Sequence, residues 1–148
     1  MSKLTVAFVV AALLSTGCSA SAGGPPRIVV DRTACSHCSM LVSESIYAAA
    51  YRAGDNEPRV FDDIGCMLDA IRHESASPLT IWLQDAGGSG WMAAADAMVV
   101  ALPQLRTPMG GGLIAYAGAE AAEKAAAANG GRVLRSLPEL MAWNGDTK

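Results

Sequence analysis

The sequence predicts an α+β fold, built as two small packed strand-strand-helix-strand units with mixed or antiparallel sheets. Three observations predict it. Short apolar and β-branched runs are bounded by clusters of Gly, Pro, Asn, Asp and Ser, the pattern of strands and their turns. Two longer segments carry helical signals, one through apolar spacing and one through Ala/Glu/Lys composition. The order strand, strand, helix, strand then occurs twice along the chain, although the halves share almost no sequence identity.

Taken in order, residues 28–31 form a short β-branched run, a strand or an extended lead into a cysteine-bearing segment. Residues 46–52 read as a strand because they run into the turn-forming cluster at 54–58, after which Arg59-Val60-Phe61 is a second strand. Asp62 is a good N-cap, and Ile64, Met67, Leu68 and Ile71 recur at helical spacing, so the spacing predicts an amphipathic helix over 63–74. Residues 75–78 end it, 79–83 form a strand, and a Gly-rich loop spans 85–90. The second set is a strand over 97–102, a Pro/Gly loop over 107–112, a strand over 113–116 and a helix over 119–129 stopped by Gly130-Gly131. A strand at 132–134 and a short helix at 138–143 close the chain.

The start of the chain reads as an export signal over 1–17, with Lys3 ahead of an apolar run from Leu4 to Leu14. Leu14-Ser15-Thr16-Gly17-Cys18 is an imperfect lipobox that would acylate Cys18, and Ala20-Ser21-Ala22 offers an ordinary cleavage site instead. The lipoprotein reading is favoured because it gives a role to a Cys directly after the apolar run. It makes 18–27 a lipid-anchored tether, 28–90 the first unit and 91–148 the second. The domain is then exported and lipid-anchored to a membrane, facing the periplasm or cell exterior. A net charge of −3 without a basic cluster argues against nucleic acid as a partner.

The chemistry concentrates in Cys35-Ser36-His37-Cys38-Ser39-Met40. Two thiols and a thioether are the soft donors that favour copper(I), whereas zinc takes Cys, His and carboxylate. A C-x-x-C pair alone also fits a zinc site, a redox dithiol or a structural disulfide. Haem attachment is excluded, since Ser39 rather than His comes after the second Cys. Without Cys18, three cysteines are left, an odd number in an oxidising compartment, so one at least is free, metal-bound or intermolecular. On the helix, Met67 belongs to the buried stripe, while Cys66 and His73 fall on the opposite face. Cys66 is there a further metal thiolate, a resolving thiol or a cysteine buried by a second layer, and His73 a solvated side chain near a helix C-terminus. Met109, between Pro108 and three glycines, either plugs an apolar surface or presents its sulfur. Asp62, Asp63 and Asp85 read as caps and turn residues, and Trp82, Trp91 and Trp143 as core or cap residues. Neither a phosphate loop nor a Gly-x-Ser-x-Gly elbow is present.

Cys35-x-x-Cys38-x-Met40, then Phe61-Asp62-Asp63-Ile64-Gly65-Cys66-Met67-Leu68, then Thr107-Pro108-Met109-Gly110, and a close at Gly130-Gly131-Arg132-Val133 resemble the nitrous oxide reductase accessory lipoproteins. The resemblance covers roughly residues 30–140. It implies a membrane-anchored copper(I) metallochaperone, not an enzyme, that helps metallate nitrous oxide reductase, with membrane-associated assembly factors as further partners. It implies soft-ligand roles for Cys35, Cys38, Met40 and Met109, with Cys66 as an additional candidate. The family usually carries Gly where Ser39 stands here. A periplasmic thiol-disulfide oxidoreductase using Cys35 and Cys38 is the alternative, weakened because no amphipathic helix starts at Cys35 to lower its thiol pKa.

Overall fold

The computed structural model describes residues 23–145 except Asp55 and Leu79. The expected signal peptide over 1–17, the expected lipidation at Cys18 and the first part of the expected tether lie outside the described residues. A 3-10 turn at Ser45–Tyr47 leads into β1 (Ala49–Arg52), β2 (Arg59–Phe61), α1 (Ile64–Glu74) and β3 (Thr80–Asp85). Next come β4 (Gly90–Ala93), β5 (Met98–Ala101), β6 (Leu113–Tyr116), α2 (Ala119–Asn129), β7 (Arg132–Leu134) and α3 (Leu137–Met141). The strands form one seven-stranded mixed sheet in the order β2-β1-β3-β6-β5-β7, with β4 paired to β3. The α+β class therefore holds.

The order β1-β2-α1-β3 returns as β5-β6-α2-β7, and each set lays its strands down in the same relative sequence. The two sets join where β3 runs parallel to β6 at Asp85 and Ala115; the other pairings are antiparallel. Alternation along β5 separates two layers of core. Val99 and Ala101 pack in the cluster that holds Ile64, Met67, Leu68 and Ile71 of α1, whereas Val100 packs with Ala122 and Ala126 of α2. The two long helices thus cover opposite faces. Full burial of each large side chain in the α1 stripe contributes about 1.5–3 kcal/mol.

Three local expectations are corrected. Residues 28–31 are not a strand: Arg32 and Thr33 N–H groups both donate to the Val29 carbonyl, the Thr33 hydroxyl accepts from Val29 N–H, and Asp31 is left-handed. Local side-chain hydrogen bonding there outcompetes a ladder. Residues 45–47 form the 3-10 turn, so β1 begins only at Ala49. The cap of α1 is Asp63, whose carboxylate accepts from Cys66 N–H at 2.7 Å, rather than Asp62. Strand β4 had no sequence expectation, because its four residues are all half-buried and show no alternation.

Candidate metal centre

Two segments build the site. The first is a tight loop whose ends are joined by an antiparallel bridge between Ala34 and Leu41. Inside it, Cys35 N–H donates to the Met40 carbonyl at 2.7 Å and Ser39 N–H to the Cys35 carbonyl at 3.0 Å. The chain closes this way only because Ser39 is left-handed, with φ of 64°. Such a φ strains most side chains and suits Gly, which accounts physically for the residue the resemblance expects there. The loop then lies along β2: Ser36 N–H donates to the Val60 carbonyl, and Val60 N–H donates to the Ser36 hydroxyl. Arg59 fastens it by donating to the Ser36 carbonyl while it also binds Tyr51 and Glu74.

The second segment is the passage from β2 into α1. Asp63 caps the helix, which points the neighbouring Asp62 the other way and puts Cys66 in the first helical turn. The thiols of Cys35, Cys38 and Cys66 and the carboxylate of Asp62 converge so that one donor atom from each lies within 4.8 Å of every other. Cys35, Cys66 and Asp62 are buried and Cys38 is half-buried, so the cluster is a cup that opens past Cys38. None of the three cysteines is in a disulfide. With metal–sulfur bonds of about 2.3 Å, donors at this spacing can reach one ion by small side-chain rotations.

The electrostatics rank the donors. Cys35 is the most acidic of the thiols. A 3.5 Å hydrogen bond from the Cys66 thiol holds its pKa down, and N–H groups of Cys38, His37 and Asp62 assist against the cost of burial. The Cys66 pKa is pushed up correspondingly, first by that bond and then by burial. Burial also raises Cys38. Asp62 is fully buried, both of its oxygens lack a hydrogen-bond partner, and its pKa rises to about 6, through burial first and then the negative charges at Cys35 and Asp63. A buried carboxylate without donors is costly, and it is the group that sequence reasoning missed. The signal was the Asp62-Asp63 pair itself, since one helix start needs one cap.

The methionines are placed differently. Met40 is 54% exposed and Met109 is 43% exposed, so neither is plugged into the core. The Met109 loop is docked onto the start of α1 by Asp63, whose second oxygen accepts from the Thr107 hydroxyl at 2.6 Å and from Met109 N–H at 2.9 Å. Gly65 and Gly111 meet backbone to backbone there, and a Cβ on Gly65 would sit 2.9 Å from the Gly111 Cα. Asp63 therefore joins the Cys66 turn and the Met109 loop through one carboxylate. His73 lies exposed near the end of α1, as expected.

Among known proteins, the profile of the NosL family matches residues 26–138, most of the chain. No curated protein matches it.

Proposed function

The chain belongs to the NosL family, the nitrous oxide reductase accessory lipoproteins, and from that premise we propose that it is a membrane-anchored copper(I) metallochaperone delivering copper to an exported copper enzyme, nitrous oxide reductase. The observation that carries the reading is the convergence of three thiols and a carboxylate, with Met40 exposed two residues past Cys38. Copper is cargo here. Cys35, already the most acidic thiol, makes the first bond, and Cys38 and Cys66 join as they lose their protons. Met40 and Met109 stand at the surface, where a partner's sulfur ligands can replace them one at a time. An acylated Cys18 is the anchor in this proposal, from the Cys that comes directly after the apolar run at the start of the chain.

The methionines give the sharpest test. A thioether helps copper(I) and does almost nothing for zinc. Met40→Leu and Met109→Leu conserve volume at exposed positions, so each should cost less than about 1.5 kcal/mol of stability. Anaerobic titration of the reduced chain, with zinc as competitor, should show copper(I) affinity falling at least tenfold, ~1.4 kcal/mol, while zinc affinity barely moves. Unchanged copper(I) affinity in both folded variants would make the methionines packing residues.

Thiol-disulfide exchange is the second reading, favoured by the 3.5 Å approach of the Cys35 and Cys66 sulfurs. Both sulfurs are buried, which shields them from a protein disulfide. The expected result is no multiple-turnover reduction of insulin disulfides; turnover that vanishes in Cys35→Ser would favour this reading instead.

A further inference from the structure

The chain contains two histidines, His37 in the cysteine loop and His73 near the C-terminal end of α1, and the fold brings them together. Their ring centroids are 5.9 Å apart with planes inclined at 31°, and both residues are exposed. We propose that His37 and His73 form a second metal site, outside the thiol cup, for a borderline divalent ion such as zinc(II).

The geometry fits a shared ion. With metal–nitrogen bonds of about 2.0–2.1 Å, two imidazoles on one ion place their centroids about 5–6.5 Å apart. The observed separation falls inside that range, and both side chains are on the surface, free to turn a nitrogen inward. Nearby carboxylates are engaged elsewhere: Glu74 binds Arg59 and Tyr51, and Asp69 binds Arg72. The imidazoles thus make no ion pair with a carboxylate, although Glu74 lies close enough to feel the His37 charge. His73 also lies in the last turn of α1, where the helix carbonyls favour a positive charge.

The donor types divide the metals. Copper(I) prefers the sulfur cup, whereas zinc(II) takes thiolate and imidazole alike, so zinc(II) can occupy the cup and the imidazole pair as two separate sites. His37 stands in the chain between Cys35 and the half-buried Cys38, so the nitrogen site adjoins the loop that carries two of the thiols. The imidazole pair supplies two of the ion's four ligands and water the others, without drawing on the thiols.

The test is a zinc(II) titration of the reduced, full-length chain, monitored through the ring proton resonances of its two histidines. Both resonances should respond together in one step, after zinc(II) has filled the thiols. In His37→Gln, the His73 resonance should need at least tenfold more zinc(II), and His73→Gln should do the same to His37. The site is overturned if neither resonance responds in the wild type, or if either histidine keeps its response when the other is replaced. The latter result covers a His37 signal that merely reports zinc on the adjacent thiols.

Discussion

Asp62 carries an unusual burden for a single residue. Its carboxyl accepts no hydrogen bond, and burial pushes its pKa up to about 6, above the ordinary 3.8. Between those two values the folded chain holds a proton that the unfolded chain has released, so stability falls as pH rises through this window. Above it, the charged carboxylate is fully penalised. Asp62→Asn should therefore raise the stability of the metal-free chain by about 1–2 kcal/mol at pH 8 and add almost nothing at pH 4. Denaturant midpoints at the two pH values check this; an equal effect at both would mean that the carboxylate is not charged in the fold. The adjacent Asp63 has four donors where Asp62 has none: Cys66 N–H, the Thr107 hydroxyl, Met109 N–H and Gly111 N–H. Residue type could not distinguish these two aspartates, because their difference arises from a loop that reaches α1 from far along the chain.

At the scale of elements, the start of α1 and the Met109 loop act as one piece. They touch through Gly65 and Gly111, where side chains would force the backbones apart. Gly65→Ala would normally help a helix by up to about 1 kcal/mol. Here its new Cβ would meet the Gly111 Cα at 2.9 Å, and a net loss of about 1–3 kcal/mol is expected. A stabilised variant in thermal or denaturant unfolding would show that the loop yields freely. The helices and most strands were legible in advance because their signals are local. Ile64, Met67, Leu68 and Ile71 mark α1, and Gly130 in a left-handed cap ends α2. The convergence of Cys66 on Cys35 was not legible, since a helical wheel gives a face and not its partner. The two histidines met for the same reason, through tertiary placement of the loop on β2.

Across the whole molecule, Asp85 holds the seam between the two sets of strands. Its carboxylate accepts from Gly87 N–H, Ser89 N–H, the Ser89 hydroxyl and Ala117 N–H, while Ala86 N–H donates to the Ala115 carbonyl. These bonds, the Ser89 hydroxyl foremost, lower its pKa to about 2. A depressed carboxylate stabilises the fold above the ordinary value of 3.8 and loses that contribution as pH falls toward 2. Asp85→Asn should cost about 1–3 kcal/mol at neutral pH and flatten the acid limb between pH 4 and 2. Unfolding should stay a single transition in the wild type, because β3 and β6 share one sheet. Two transitions seen by different probes would mean that the halves fold separately.

The placement of the cysteine loop has a consequence for solubility. β2 lies at an end of the sheet, and such a strand invites pairing with another chain. Here Ser36 occupies the Val60 N–H and carbonyl, and Arg59 adds a charged clamp over the same position. The segment that gathers the thiols is thus also a guard against self-association. Any damage that loosens it, by oxidation or by substitution, exposes an unpaired strand as well as disabling a donor set, so loss of metal binding and aggregation should arrive together.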